Sequence, residues 1–165
     1  MELVLIKHSQ LTDLDLEKII DIKKIHWDYS REEHKEWIDK NLGEADIHAL
    51  IFNNEELVSY LNLIRTEVRI NGVRQSFMGV GNVCSLTKGF GFGKKLMIEI
   101  QNYLLKNNLR GILLCKEELV HFYKKHRWEL IEPDKIISEQ YKNINIMLFN
   151  INSVIDKLDY DGRNF

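Results

Sequence analysis

Five of the nine glycines in this 165-residue chain, Gly79, Gly81, Gly89, Gly91 and Gly93, fall within fifteen residues. Glycine tolerates left-handed backbone and close approach of another group, so such a cluster either interrupts regular structure or admits a ligand. Its flanks narrow the choice. The apolar run from Val73 to about Ser85 reads as a strand, and Leu96, Met97, Ile100 and Leu104 mark a helix from about Gly93 to Asn107. A glycine loop between a strand and a helix lets backbone N–H groups reach an anion at the positive end of the helix dipole. Lys88, Lys94 and Lys95 add positive charge suited to phosphate. A plain turn needs fewer glycines than these three alternating ones.

The rest of the chain supplies a frame for this loop. Residues 2–7 form a short apolar strand, and Thr12 caps a helix whose first turn holds Asp13, Asp15 and Glu17, with Leu16, Ile19, Ile20 and Trp27 at helical spacing. A capping box at Ser30-Arg31-Glu32-Glu33 starts a second helix that Gly43 stops, after the connection His26-Trp27-Asp28-Tyr29. Strands are expected at Ile47–Phe52 and Leu57–Ile70. Asn71-Gly72 then signals a type I′ hairpin, which needs φ > 0 at both central residues. With a two-residue loop, Glu67 faces Ser76. Beyond the loop helix come a strand at Arg110–Cys115, a helix at Glu117–Lys125, and strands at Trp128–Ile131 and Ile144–Asn150. The order is β-α-α-β-β-β-α-β-α-β-β. The strand, helix and strand across 73–115 form a right-handed crossover with parallel strands.

Two familiar phosphate loops fail on residues. A Walker A loop needs G-x-x-x-x-G-K-[ST], and Gly89-x-x-x-Gly93-Lys94-Lys95 has the wrong spacing and no hydroxyl. The dinucleotide fingerprint G-x-G-x-x-G misplaces the third glycine. The pattern [QR]-x-x-G-x-[GA] does fit, as Lys88-Gly89-Phe90-Gly91-Phe92-Gly93. It resembles the acyl-CoA pyrophosphate loop of the GCN5-related N-acetyltransferase (GNAT) superfamily. Downstream, Glu117-Glu118-Leu119-Val120-His121-Phe122-Tyr123-Lys124-Lys125-His126-Arg127-Trp128 resembles that superfamily's "fYeklGF" segment. The resemblance covers roughly Val73 to Ile131. Three positions depart from the pattern: Lys88 replaces Arg or Gln, Lys116 stands where Asn is frequent, and Arg127 replaces a Gly.

The resemblance implies one GNAT-like domain over 1–165, with its CoA-binding core at about 73–131. Its fold would be mixed α/β: a mostly antiparallel sheet, a central parallel strand pair and about four helices. It implies an acyl-CoA-dependent N-acyltransferase, carrying acetyl from acetyl-CoA to a primary amine of a small molecule or peptide by direct attack. The backbone at Asn82, Val83 and Cys84 would pair with the pantetheine arm, a bulge near Gly79 and Gly81 would make room for it, and the amides of Gly89, Phe90, Gly91, Phe92, Gly93 and Lys94 would hold the pyrophosphate. Lys88 and Lys116 complete the cofactor-binding set. Tyr123 matches the family's general acid. No acid on the return strand matches its base, which leaves Glu67, His121 or Asp28, or an ordered water relay. Trp27, Asp28 and Tyr29 lie where the family builds its acceptor site, and would suit a cationic amine. The alternative is a catalytically silent acyl-CoA-binding or sensing module on the same fold.

Composition bounds these readings. Lys plus Arg number 23 and Asp plus Glu 25, a net charge of −2, which lacks the basic footprint of a nucleic-acid binder. Hydrophobic residues at 44% and charged residues at 29% exclude disorder. Cys84 and Cys115 sit in apolar segments and read as buried free thiols, with no disulfide framework. No H-E-x-x-H or Cys/His ligand set is present, so no metal is expected. The apolar run at residues 2–7 is too short for a signal peptide or membrane span. These features together lead us to expect a cytoplasmic protein without membrane or nucleic-acid partners. The tail from Ile151 to Phe165 carries Ile151, Val154, Ile155 and Leu158, which pack either on the domain or on a second subunit of a homodimer.

Overall fold

A computed structural model describes residues 1–165. Its elements are β1 (Glu2–Lys7), α1 (Asp13–Lys24), α2 (Arg31–Asn41), β2 (Ile47–Asn53), β3 (Glu56–Ile70), β4 (Val73–Ser85), α3 (Phe92–Lys106), β5 (Gly111–Cys115), α4 (Glu117–Lys125), β6 (Glu129–Leu130), β7 (Asn145–Phe149) and β8 (Leu158–Asp159), with short 3-10 turns between some of them. The eight-stranded sheet runs β1-β2-β3-β4-β5-β7-β6, and β8 pairs with β3. All pairings given by register are antiparallel except β4 with β5. This is the mixed α/β architecture with four helices and a parallel pair. No helix is long and apolar enough to cross a membrane.

The chain forms two compact units that share β3, β4 and α3. One comprises Met1–Ile64 and Gly81–Ile100, the other Arg65–Val80 and Gln101–Phe165.

In the first unit, both early helices begin as the sequence dictates. The Thr12 hydroxyl accepts from Asp15 N–H while the Asp15 carboxylate accepts from Thr12 N–H, and Ser30 and Glu33 repeat the arrangement. Each box satisfies two donors that a helix start leaves open. Residues His48 to Ile51 of β2 and Leu57 to Ile64 of β3 are buried without alternation, the pattern of strands covered on both faces. Trp27 lies beyond the end of α1, yet its N–H still reaches Lys23 O at 3.0 Å.

In the second unit, Asn71 (φ 50°) and Gly72 (φ 83°) make the expected left-handed hairpin turn. Asn71 also holds the tail: its side-chain oxygen accepts from Asp156 N–H and Lys157 N–H, and its Nδ2 donates to Val154 O. The tail therefore packs on its own chain. Leu158 and Tyr160 are fully buried with Val68, Ile70, Phe77 and Ile146, and Arg69 pairs with Asp159 at 2.8 Å. Val154 alone of the four apolar tail residues named above stays out, 78% exposed. The strand expected over Trp128–Ile131 shortens to Glu129–Leu130.

Candidate active site

β4 is where the sheet changes character. It pairs in parallel with β5 at Met78↔Gly111 and Gly79↔Ile112, and β5 pairs antiparallel with β7 as far as Cys115↔Asn145. β4 itself continues to Ser85. The distortion expected near Gly79 and Gly81 falls on their neighbour Asn82, which adopts φ 53°. Asn is the non-glycine residue that best tolerates this conformation.

The Asn82 side chain is fixed on both ends. Its Nδ2 donates to Asn62 Oδ1 at 2.6 Å, and its Oδ1 accepts from Lys23 Nζ at 3.0 Å. Lys23 is only 2% exposed. It arises from α1 on the same stripe as Ile19 and Ile20, so helix geometry carries it inward despite its charge. Its ammonium lies 4.4 Å from the centre of the Trp37 ring and 5.7 Å from that of Trp27. Burial lowers its pKa to about 8, opposed by the nearby Cys84.

These groups line a cavity of about 340 Å³ formed by Lys23, Trp27, Tyr29, Glu33, His34, Trp37 and Asn82. Of the three acceptor-site residues expected from sequence, Trp27 and Tyr29 lie here, whereas Asp28 is exposed and does not line the cavity. Lys23, Trp37 and His34 were missed. The Trp27 face, expected from sequence to receive a cationic substrate, already has the protein's own ammonium 5.7 Å from its centre, and the same ammonium lies closer still to Trp37. Glu33 is committed to the Ser30 cap, whose hydrogen bonds hold its carboxyl below the ordinary range. His26 reaches the end of β4, with Nε2 2.6 Å from Ser85 O.

The glycine loop lies in the same unit. Gly89 (φ 87°) and Gly91 (φ 80°) are left-handed, and a Cβ built on either meets nothing within 4 Å. Lys95 N–H donates to Gly91 O at 2.9 Å, the first bond of α3, so the preceding amides have no intrahelical partner. No acidic residue occupies the first turn, which keeps this helix end positive. The Ser59 hydroxyl donates to Phe92 O at 3.3 Å and ties the helix start to β3. Lys88 and Lys94 are exposed, while Lys95 pairs with Glu99 at 2.5 Å. Phe90 is 72% exposed and stacks with Phe92. Val83 is half-buried and Cys84 buried on β4.

The remaining site candidates lie in the second unit. Tyr123 on α4 is buried, edge-on to Phe122 and Trp128. Lys116 is the N-cap of α4 without a side-chain cap bond, and His121 is exposed. Glu67 is exposed and pairs with Arg74 at 2.9 Å on the hairpin. The departure at Arg127 leaves the turn intact. Arg127 takes φ 60°, its N–H donates to Lys124 O, and Trp128 N–H donates to Tyr123 O, the paired bonds of a Schellman motif. Burial raises the thiols of Cys84 and Cys115 to about 12 and about 11, so neither is a ready thiolate.

Solved structures with this fold include an Escherichia coli GNAT family N-acetyltransferase, YhbS, in complex with CoA. It shares 14% identity over 97% of this chain and 90% of its own, with a TM-score of 0.64. The Bacillus subtilis N-acetyltransferase YlbP, in complex with coenzyme A, shares 12% identity over 91% of this chain and 97% of its own, at 0.61. A probable N-acyltransferase from Enterococcus faecalis V583 matches at 18% identity and 0.59, covering 78% of this chain and 33% of that one. No curated protein matches the chain. A family model described as an acetyltransferase (GNAT) domain matches residues 7–131, a span from the end of β1 past β6 that contains the glycine loop, the Asn82 distortion and the Tyr123 helix, and the chain therefore belongs to the GNAT acetyltransferase family.

Proposed function

We propose that this chain is an acyl-CoA-dependent N-acyltransferase that moves an acetyl group from acetyl-CoA to a primary amine. The observation that carries the reading is the left-handed Gly89–Gly91 loop opening into α3 with no acid in its first turn. Backbone amides there suit a pyrophosphate, with Lys88 and Lys94 as mobile charges and Lys116 as a further contact. The β4 backbone at Asn82, Val83 and Cys84, distorted where Asn82 takes φ 53°, is the stretch that would pair with the amides of a pantetheine arm. Coenzyme A in two proteins of the same fold supports this choice of donor.

The reaction would run by direct attack. An alkyl amine has a pKa near ~10 and must first lose a proton. Its nitrogen then adds to the thioester carbonyl, and a strand N–H stabilises the resulting oxyanion. Collapse forms the amide, breaks the C–S bond and releases a thiolate, which Tyr123 protonates as general acid. The amine proton would leave to Glu67, His121, Asp28 or an ordered water relay.

CoA release with a panel of amines tests the reading, alongside acetyl-CoA binding. Turnover on any amine, reduced in Tyr123→Phe, supports it. Tight acetyl-CoA binding with no turnover on any amine would make the protein a silent acyl-CoA-binding module, and absent binding would remove the CoA reading altogether.

A further inference from the structure

The cavity beside Asn82 holds a charge that the chain itself leaves unanswered. Lys23 is buried, and the polar partner of its ammonium is the neutral Asn82 Oδ1. An ammonium has three donors, and it also faces the rings of Trp27 and Trp37, with Cys84 and His34 nearby and neither carrying a negative charge to pair with it. Buried charges are ordinarily paired or neutralised. Glu33, the acid lining the same cavity, is bound to the Ser30 backbone. A second polar group in this network is also unanswered: Asn62 is fully buried, and its Nδ2 has no hydrogen-bond partner. An ammonium with one neutral acceptor for its three donors, lining an open cavity, describes a seat for an anion, and Asn62 bears on it only through its bond to Asn82.

The cavity's walls set the rest of the ligand. Trp27, Trp37 and Tyr29 offer flat apolar surface, and about 340 Å³ is near the small end of ligand sites. That volume suits a molecule of amino-acid size. Resting on the acyltransferase reading above, we propose that the acceptor amine also bears a carboxylate, which Lys23 binds while the indoles of Trp27 and Trp37 hold the apolar body. The acceptor class is then amino acids or their close analogues, in place of simple cationic amines. Lys23 is a specificity-determining residue in this scheme.

The test pairs each standard amino acid with its C-terminal amide, which keeps the amine and body and removes only the anion. Quenching of Trp fluorescence reads binding, and CoA release reads turnover. At least one acid should bind tenfold or more tighter than its amide. That preference should persist in Lys23→Arg and vanish in Lys23→Met. No acid outranking its amide, or a preference that survives in Lys23→Met, overturns the proposal. Absent CoA release and absent acetyl-CoA binding would defeat the acyltransferase reading instead, while the acid-over-amide comparison by fluorescence still decides the role of Lys23.

Discussion

Lys23 Nζ donates a 3.0 Å hydrogen bond to Asn82 Oδ1, joining residues 59 apart in sequence. The bond connects the last turn of α1 to the one left-handed residue of β4. The strand distortion and the buried charge are thus one feature, since Asn82 at φ 53° presents its amide to the ammonium on one end and to Asn62 on the other.

Such a charge costs stability. Burial lowers the Lys23 pKa from 10.5 to about 8, so the folded state holds the proton less tightly than the unfolded chain. The penalty is about 3 kcal/mol, complete below about pH 8 and fading between about 8 and 10.5. Lys23→Met removes it but strands Asn82 Oδ1, at about 1 kcal/mol. The variant should therefore be more stable by about 2 kcal/mol at pH 7, with the advantage shrinking at pH 10. Urea unfolding at the two pH values checks this, and equal stability at pH 7 would mean that the ammonium is well solvated.

Gly91 offers a cleaner probe of the glycine loop. A Cβ there meets no atom within 4 Å, but φ is 80°, so Gly91→Ala should cost only about 1–2 kcal/mol of left-handed strain. The added methyl also obstructs close approach of an anion to the loop amides. Acetyl-CoA affinity should fall tenfold or more by calorimetry. Lys88→Ala, which removes an exposed charge, should lower it only about threefold and more weakly at high salt. An unchanged affinity in Gly91→Ala would remove the loop from the donor site.

A second chain of titratable groups, running from half-buried His8 to buried His48 and Tyr60, sets an acid limit. His8 Nδ1 lies 3.0 Å from His48 Nε2, and His48 Nδ1 lies 2.9 Å from the Tyr60 hydroxyl. Burial, reinforced by His8, lowers His48 from 6.5 to about 4. The unfolded chain thus takes up a proton near pH 6.5 that the folded chain refuses until about pH 4. Stability is full above about 6.5 and declines by about 3 kcal/mol as the pH falls to about 4. His48→Gln keeps a polar side chain and cannot titrate, so its urea midpoint should fall less between pH 7 and 4.5 than that of the parent. Parallel pH profiles would exclude His48 as the source.

Caps, turns and the glycine loop were legible because each depends on a few adjacent residues. Thr12, Ser30-x-x-Glu33 and Asn71-Gly72 act where they stand. Lys23 was not legible by residue type, since a lysine on a helix usually faces water. Its position was the available signal, because it follows Ile19 and Ile20 at the spacing of the buried stripe. A distortion was expected near Gly79 and Gly81, but its seat at the neighbouring Asn82 was not legible, because an asparagine within a strand does not announce positive φ. β8 is two residues long, too short for any period, and forms because Asn71 and Arg69 hold the tail from elsewhere in the chain. Trp37 and His34 join Trp27 only once α2 folds back on α1, a pairing that no local pattern encodes.

Arg127 is the residue most simply improved. It occupies the position after α4 where glycine is the usual Schellman residue, with φ 60° and both motif bonds in place. The backbone there is dictated by the turn that brings buried Trp128 into the second unit's core, 2% exposed, so the strain is carried by the arginine. Arg127 is exposed, and glycine adopts this φ without steric cost, although it gains freedom in the unfolded chain. Arg127→Gly should raise stability by about 1 kcal/mol, and Arg127→Val, β-branched and worse suited to positive φ, should lower it by a similar amount. Thermal unfolding of the three proteins orders them Gly, Arg, Val. A valine variant as stable as the parent would show that residue 127 is not held left-handed in solution.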